Sequence, residues 1–484
     1  MYNKSLPQVF KKSFNENSKK IAIEYGEQSI TYHQLQSNIK QWSDEFCLKF
    51  QVRNPKVLLL IHDPVVFITI WLALWENNCI PIPLEGNLNS KELENAVNAS
   101  RCNYIVSTLD LSLELENNLL TRQMSKINLS VNYYFIAKDE DNTLRDSALF
   151  FYTSGTTGLP KCVVFSHMAM AASVLSLAEV INLNNTDVFF TPLSPMLPAT
   201  IATAVLPSLA TGSKLVISMS ALRGNILKVI KEKKVTIFFA VPYIYDLLST
   251  SPNSYKDVWN NVRLCISSSA FLEPAIFDAF YENTGISIRS IYCSSEGGAI
   301  TFNSLSNIEK NRNTVGTALP GVKIKILNDK MELANINEPG EIYVSGFQIS
   351  SGYYMQKVLE KSVFVDNWVK SGDLGALDES NCLKIIGRIS KTINISGHLV
   401  NPEEVEQVIN AHPFVEDSLV YGIPDTNLGQ RVAVNILLKD SAHKIDDNQL
   451  YEFCKEKLKS FKIPRYIEFV KEIPTSRYGK KVRK

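Results

Sequence analysis

Residues 152–161, YTSGTTGLPK, are the stretch that decides the fold. They combine hydroxyl side chains with two glycines and a closing lysine. Glycine lets a backbone fold closely around an anion, while hydroxyls, main-chain N–H groups and lysine donate to phosphate oxygens. The spacing excludes the Walker A pattern, because Pro160 stands where that pattern requires its second glycine. The stretch therefore predicts a phosphate-binding loop, with these candidate residues: Thr153, Ser154, Gly155, Thr156, Thr157, Gly158 and Lys161.

Around this loop, short aliphatic runs alternate with amphipathic stretches. Short buried strands that alternate with helices predict α/β layers with mainly parallel sheets. The predicted strands are residues 56–61, 79–84, 214–217, 235–241 and 262–266, and the predicted helices are residues 65–77, 222–232 and 274–283.

The pattern changes after about residue 315. Strands predicted at residues 322–327, 340–344 and 383–386 are separated by Gly, Pro and Asn turns, which indicates a β-rich subdomain. A mixed pattern then follows, with helices at 402–411 and 447–460 and strands at 414–422 and 432–438. We therefore predict an α/β fold with two domains. Residues 1–387 form a large N-terminal region of stacked α/β subdomains plus the β-rich subdomain, and residues 388–484 form a small α+β C-terminal domain.

Composition limits the classes of partner. The 484 residues carry 50 Lys and Arg against 49 Asp and Glu, so no basic excess favours nucleic acid. The sequence contains neither a CxxC pair nor an HExxH motif, so no zinc site is indicated. The scattered cysteines favour a reducing compartment. The N-terminus lacks the apolar region of a secretion signal, and the longest apolar run, residues 65–75, is too short to span a bilayer. We expect a cytoplasmic protein without a membrane span.

Residues 152–161 resemble the signature of the adenylate-forming superfamily, which includes acyl-CoA synthetases, peptide-synthetase adenylation domains and firefly-type luciferases. Further segments resemble the motifs of this family in the expected order, from about residue 20 to the end of the chain. They are residues 30–35 (ITYHQL), 267–272 (SSSAFL), 292–296 (YCSSE), 371–374 (SGDL), 387–388 (GR), 392–406 (TINISGHLVNPEEVE) and 474–483 (PTSRYGKKVR).

Some positions depart from the family pattern. Cys162 and Cys293 stand where the family has glycine, and their effect stays open at this point. Ser268 and Ser269 also replace glycines, in a turn whose backbone borders the adenine in the family. The resemblance places Ser269 and Ala270 at that border.

The resemblance also implies roles around ATP. Tyr292 stacks on adenine, Ser295 holds the α-phosphate region and Glu296 binds Mg²⁺, a hard cation that prefers carboxylate oxygens. Asp373 accepts hydrogen bonds from the ribose hydroxyls, and Arg388 contacts the ribose and phosphate. The alternatives are a structural tyrosine for Tyr292, a turn aspartate for Asp373 and an exposed linker residue for Arg388.

The C-terminal residues carry the remaining implied roles. Ser390 and Lys391 occupy the hinge of a mobile lid, and Gly397 lines the tunnel for pantetheine. Lys480 bridges the substrate carboxylate and the α-phosphate, where it stabilises the developing charge. Lys481, in contrast, is interpreted as a solvated charge of a basic tail.

The resemblance implies two reactions. A carboxylate attacks ATP to give acyl-AMP, and a phosphopantetheine thiol, on CoA or on a carrier protein, then displaces AMP. Residues 191–200 contain no acidic side chain to pair a substrate ammonium, which disfavours an ordinary amino acid. Met196 and Tyr243 are candidates for an apolar acid pocket, although plain core packing explains them equally well.

A fatty- or aryl-acid CoA ligase is therefore the leading hypothesis. There are three alternatives. The first is an enzyme that loads a carrier protein with an acyl group or an unusual amino acid, the second is a non-catalytic or nucleic-acid-binding protein with the same fold, and the third is a luciferase-type oxygenase.

Overall fold

The computed structural model describes most of the chain in two compact units. The first contains Met1–Lys325, Tyr343–Ser371 and Asn381–Leu383, and the second contains Ile326–Ile342, Gly372–Ser380 and Lys384–Lys484. The domain boundary expected between residues 387 and 388 stays a prediction. The residues outside the description are 1–4, 86–87, 89, 112–120, 126, 129, 138–143, 145, 154–160, 251–256, 308–311, 390–392, 396–397, 426–428, 440–445, 475–480 and 482–484.

The structure has a helix at each of the five predicted helical segments and further helices that were not predicted. They are α1 Leu6–Glu16, α2 Tyr32–Lys49, α3 Pro64–Glu76, α4 Ser90–Ser100, α5 His167–Val180, α6 Pro198–Thr200, α7 Leu206–Thr211, α8 Arg223–Glu232, α9 Pro242–Ser249, α10 Pro274–Thr284, α11 Lys357–Val363, α12 Pro402–Asn410 and α13 Asp447–Lys455. A π-helical turn, Ile201–Val205, joins α6 to α7.

The strands are β1 Ile21–Tyr25, β2 Gln28–Thr31, β3 Lys56–Leu60, β4 Ile80–Pro83, β5 Tyr104–Ser107, β6 Thr121–Met124, β7 Asn132–Phe135, β8 Ser147–Thr153, β9 Lys161–Ser166, β10 Val188–Thr191, β11 Lys214–Ile217, β12 Ile237–Ala240, β13 Leu264–Ser267, β14 Ile288–Ser294, β15 Gly298–Phe302, β16 Thr317–Ala318, β17 Val322–Leu327, β18 Gly340–Gly346, β19 Gly352–Tyr353, β20 Phe364–Val365, β21 Trp368–Leu377, β22 Leu383–Arg388, β23 Ile393–Ile395, β24 His398–Val400, β25 Val415–Asp425, β26 Gly429–Leu438 and β27 Tyr466–Val470.

A nine-stranded sheet dominates the first unit, in the order β16-β15-β14-β13-β12-β10-β11-β1-β2. Its six central strands, from β14 to β1, pair in parallel. The carboxyl ends of β12, β13 and β14 therefore meet at one edge, the usual position of a site in an open α/β sheet.

Two further sheets belong to the first unit. One has the order β4-β3-β5-β7-β6, with β3 parallel to both β4 and β5. The other has the order β19-β9-β8, all antiparallel. The mainly parallel α/β layers that the sequence predicts are therefore present.

Helix α3 shows why these elements form. Pro64 occupies its first turn, and Asp63 Oδ1 accepts hydrogen bonds from the Val65 and Val66 N–H groups at 2.8 and 2.9 Å. This cap pairs N–H groups that have no partner inside the helix. The helix is apolar on nearly all sides and buries Phe67 and Trp71 in the main core. No helix in the described part of the chain has the length and apolar character needed to cross a membrane.

The second unit has its own sheet and core. Its sheet has the order β24-β23-β26-β25, and β27 pairs in parallel with β26. Helices α12 and α13 supply Val405, Ile409 and Leu450 to the core beside it. A further sheet, β17-β18-β21-β20 with β22 on β21, corresponds to the predicted β-rich region.

Candidate active site

The predicted phosphate loop joins two antiparallel strands. Thr153 at the end of β8 and Lys161 at the start of β9 are opposite partners in the pairing. These two residues therefore flank the predicted loop. The loop residues themselves lie outside the described part of the chain, and they include Ser154, Gly155, Thr156, Thr157 and Gly158.

Strand β19 extends this hairpin. Tyr353 pairs with Val163, and the Tyr354 N–H donates to the Cys162 carbonyl oxygen at 2.9 Å. The pairing brings Tyr353 beside Lys161, whose Nζ lies 5.5 Å from the centroid of the tyrosine ring. A lysine ammonium at this distance is attracted to the face of the ring.

The YCSSE motif ends strand β14 and enters the turn to β15, and this turn presents Ser295 and Glu296. The Gly297 N–H donates to Ser294 Oγ at 2.8 Å, which closes the turn. Gly298 has a φ of +66°, and a Cβ there would lie 3.0 Å from the Gln348 carbonyl oxygen. The positive φ favours glycine at this position, and a Cβ would make a tight contact.

A tyrosine that the sequence analysis missed connects the two motifs. The Tyr353 hydroxyl donates a hydrogen bond to Glu296 Oε1 at 2.5 Å. The Ser350 N–H donates to the Glu296 main-chain carbonyl oxygen at 2.8 Å, so the backbone of the glutamate is also fixed. We call Lys161, Tyr353 and Glu296 the Tyr353 cluster. Its signal in the sequence is only a Gly-Tyr pair far from both motifs, and nothing local predicts where that pair lies.

The charges of the Tyr353 cluster are largely left for a ligand. Among the described residues, no carboxylate lies within ion-pairing distance of Lys161 Nζ, and Glu296 Oε2 accepts no hydrogen bond. A cation and a carboxylate oxygen without partners are suited to a polyphosphate and its counter-ion.

Glu296 fits a Mg²⁺ ion. In the described part of the chain, no three metal-ligating side chains gather into a cage. Mg²⁺ usually takes one or two protein carboxylates and completes its coordination with water and substrate phosphates, so a cage is not expected. Glu296, with one oxygen held by Tyr353, can supply such a carboxylate.

Cys162 and Cys293, which replace family glycines, are accommodated by the fold. Cys162 is 1% exposed and packs in a core cluster with Phe150 and Val164. Burial raises the pKa of the Cys162 thiol to about 12, and the nearby Cys102 contributes. Burial likewise raises the pKa of Cys293 to about 12, although the hydroxyls of Ser268 and Thr203 oppose the shift. Both thiols therefore stay protonated at neutral pH, which makes them poor nucleophiles.

The predicted adenine segment lies at the carboxyl end of β13. Ser269 and Ala270 follow this strand and are exposed. Ser269 has a φ of +73°, a conformation that glycine adopts at lower cost. Tyr292 lies in the neighbouring β14 and is half-buried. The fold thus brings these three residues to neighbouring strands at one sheet edge.

The two acid-pocket candidates differ in exposure. Met196 is 4% exposed, belongs to the main core and accepts a hydrogen bond from Ser194 Oγ at 3.2 Å on its sulfur. Tyr243 lies in the first turn of α9, close after the carboxyl end of β12, and is 54% exposed. Core packing thus explains Met196, whereas Tyr243 has a free face, and the acid pocket stays a prediction.

Asp373 and Arg388 come together within the second unit. Arg388 Nε lies 3.5 Å from Asp373 Oδ1, and the aspartate side chain is 10% exposed. Asn401 caps helix α12 by accepting from the Glu403 N–H at 3.1 Å, and a Cβ on Gly387 would lie within 2.9 Å of the Asn401 side chain. In the Gly-Arg motif, Gly387 therefore allows the Asn401 side chain to approach the backbone, and the Arg388 guanidinium pairs with the Asp373 carboxylate.

The C-terminal calls have mixed outcomes. Ser390, Lys391, Gly397 and Lys480 lie outside the described residues, so their roles stay predictions. The interpretation of Lys481 as a solvated charge is wrong. Its Nζ lies 2.5 Å from Asp417 Oδ1 and 3.5 Å from Glu406 Oε2, and it donates to the Ser418 carbonyl oxygen at 2.6 Å.

Comparisons with known proteins identify the family of the chain. Residues 10–354 match the family described as AMP-binding enzyme, and residues 404–480 match its C-terminal domain. The oxalate–CoA ligase of Arabidopsis thaliana is 24% identical over 443 residues, which cover 88% of this chain and 86% of that protein.

Solved structures share the fold. The ATP-bound MatB from Rhodopseudomonas palustris has a TM-score of 0.84 at 23% identity, covering 99% of this chain and 97% of that chain. The o-succinylbenzoate CoA synthetase of Bacillus subtilis, in complex with its acyl-adenylate, has a TM-score of 0.84 at 21% identity, covering 98% and 96%. These findings confirm the predicted acyl-CoA synthetase-like type of enzyme and the adenylate-forming superfamily: the chain belongs to the AMP-binding enzyme family.

Proposed function

We propose that the protein is a CoA ligase that activates a fatty or aryl acid with ATP and transfers the acyl group to the thiol of CoA. The observation that carries the proposal is the Tyr353 cluster, in which Lys161 and Glu296 Oε2 have no ionic or hydrogen-bond partner among the described residues. Relatives that are named as CoA ligases support it.

In the first step, a carboxylate oxygen of the acid attacks the α-phosphorus of ATP. The bond from that phosphorus to the bridging oxygen of the β-phosphate breaks, and pyrophosphate leaves. Lys161 offsets negative charge on the phosphates, and Lys480 stabilises the charge that develops at the reacting phosphorus. Glu296 would hold Mg²⁺, which neutralises polyphosphate charge when bound.

In the second step, the thiol attacks the acyl carbon of the adenylate. The bond from that carbon to the AMP oxygen breaks, AMP leaves and the thiol proton passes to solvent or to the departing phosphate. The reacting atom of this step is the acyl carbon and not the phosphorus, so the step does not depend on Lys480.

The class of acid follows from what residues 191–200 lack. No carboxylate in this segment can pair the ammonium of an amino acid, and burying an unpaired ammonium costs far more than the roughly 2–7 kcal/mol of an uncharged polar group. The half-exposed Tyr243 offers an aromatic face to an apolar acid.

The acceptor is tested separately. A phosphopantetheine thiol on a carrier protein is the alternative to CoA, and the same adenylation chemistry serves both. Mass spectrometry of reactions with CoA and with a holo-carrier protein distinguishes them. We expect acyl-CoA, and acylation of the carrier alone would overturn this part of the proposal.

Lys480→Ala tests whether Lys480 acts only in adenylate formation and not in thioester formation. We expect adenylate formation to fall by about 10²–10³-fold, the scale for removing one group that stabilises transition-state charge. Thioester formation from preformed acyl-adenylate should stay near the wild-type rate. Lys471→Ala, at an exposed position of the same unit, is the matched control. Equal loss of both steps would contradict the role of Lys480.

A further inference from the structure

We infer that Tyr353 is a positioning residue for the Glu296 carboxylate. Its hydroxyl holds Oε1, so that Oε2 is directed to the cation that accompanies the nucleotide. The inference rests on the proposed function, because it assigns Glu296 to the Mg²⁺ of an ATP complex. It adds a residue that none of the recognised motifs contains.

The tyrosine ring is fixed on several sides. Its backbone belongs to β19, which pairs with β9. Its ring contacts Phe364 edge to face, with centroids 5.8 Å apart, and the residue is 4% exposed. A hydroxyl carried by a ring that is held in this way occupies one position, so it can define the orientation of a more mobile carboxylate.

The glutamate is fixed at both ends. The Ser350 N–H binds its main-chain carbonyl oxygen at 2.8 Å, and the Tyr353 hydroxyl binds its side chain. Among the described residues, Tyr353 is the one side chain that hydrogen-bonds this carboxylate. Groups that orient a metal ligand in this manner typically contribute 10–100-fold to metal affinity or activity.

Tyr353→Phe isolates the hydroxyl. The phenylalanine keeps the ring that lies 5.5 Å from Lys161 Nζ, and it keeps the contact with Phe364. The variant therefore removes the hydrogen bond to Glu296 and leaves the attraction between the lysine and the ring largely intact.

The neighbouring tyrosine is a matched control. The Tyr354 hydroxyl accepts a hydrogen bond from the buried Lys56 Nζ at 3.2 Å, and its ring packs against Phe150. Tyr354→Phe also removes one buried hydroxyl from the same strand end, but away from Glu296. If tyrosine hydroxyls in this segment matter only for stability, the two variants behave alike.

The test is calorimetric binding of ATP to the full chain at varied Mg²⁺, without acid. For Tyr353→Phe we expect Mg²⁺-dependent ATP binding to weaken by about 10–100-fold, while binding without Mg²⁺ changes by less than about threefold. For Tyr354→Phe we expect the melting temperature to fall and the Mg²⁺ dependence to match the wild type. Wild-type Mg²⁺ dependence in Tyr353→Phe would overturn the inference.

Two further variants keep the outcome decisive. Glu296→Asp withdraws the carboxylate from the tyrosine hydroxyl and should lose Mg²⁺-dependent binding to a similar extent, even if Tyr353→Phe does not fold. In a Glu296→Ala background, Tyr353→Phe should have no additional effect, because the hydroxyl acts through the carboxylate. An undiminished effect there would overturn the inference. Absence of Mg²⁺-dependent binding in the wild type would instead contradict the proposed function.

Discussion

Two lysines that close glycine-containing motifs have different surroundings. Lys161 ends YTSGTTGLPK in the first unit and lies over the ring of Tyr353. Lys481 follows Gly479 and Lys480 in the second unit, and it contacts Asp417, Glu406 and a main-chain carbonyl oxygen. Both are cations near a predicted nucleotide motif, yet only Lys161 keeps its charge available for a ligand among the described residues.

The difference shows that partners, and not residue type, separate a binding charge from a structural one. A lysine over an aromatic ring is stabilised by only about 0.5–1 kcal/mol at an exposed site. Little interaction energy is therefore lost when such a lysine moves from the ring to a phosphate. A lysine shared by two carboxylates is already neutralised. Lys481 is thus bound to β25, which carries Asp417 and Ser418.

The largest expected effect tests the binding charge. Lys161→Met should lower the rate of adenylate formation by about 10²–10³-fold, because it removes a cation from the phosphates in the transition state. The free energy of unfolding should change little. The measurement is the initial rate of pyrophosphate release in the presence of an acid substrate.

Lys325→Met is the control for this prediction. Lys325 Nζ also lies over a ring, 4.4 Å from the Trp368 centroid, but outside the phosphate motif. Its loss should leave the rate of adenylate formation near the wild-type value. If the two variants lose activity equally, the contrast between a binding and a structural lysine is wrong.

The structural charge is the next test. Lys481→Met removes a cation from Glu406, whose side chain is 7% exposed, and should lower the free energy of unfolding by about 2 kcal/mol. Urea denaturation of the full chain measures the change. Lys455→Met removes an exposed pair with Glu452 from the same unit and should produce no measurable change. Identical midpoints for the two variants would show that Lys481 is solvated after all.

The smallest effects concern the positions where the family has glycine. Cys162→Gly removes a buried side chain and should lower the free energy of unfolding by about 1–3 kcal/mol. Ser269 has a φ of +73° at an exposed position, a conformation that glycine adopts at lower cost. Ser269→Gly should therefore raise the free energy of unfolding by up to about 1 kcal/mol. Thermal denaturation compares them. A gain in stability for Cys162→Gly would mean that the cysteine strains the hairpin.

Local patterns were sufficient for the helices and strands that the sequence predicts. The strand predicted at 322–327 is β17, and the helix predicted at 402–411 is α12, because alternation and capping depend on nearby residues. The helix predicted at 447–460 ends earlier, at Lys455. The chain turns there, and Leu458 and Ile463 both reach the core of the second unit.

Contacts between distant segments were not predictable in this way. Tyr353 reaches the site through a two-residue strand, and its pairing with Val163 depends on the whole sheet. The partners of Lys481 likewise lie on β25 and α12, far along the chain. The order of the motifs could indicate the nucleotide chemistry. It carried no information on residues outside the motifs, such as Tyr353, that orient the side chains of motif residues.

Acid-dependent exchange of pyrophosphate into ATP tests the central claim most directly. The full chain would be incubated with ATP, Mg²⁺ and, in turn, a panel of fatty, aryl and amino acids. We predict exchange with at least one fatty or aryl acid, none with ordinary amino acids, and loss of the exchange in Lys161→Met. No exchange with any acid, from protein that is shown to be folded, would contradict the account.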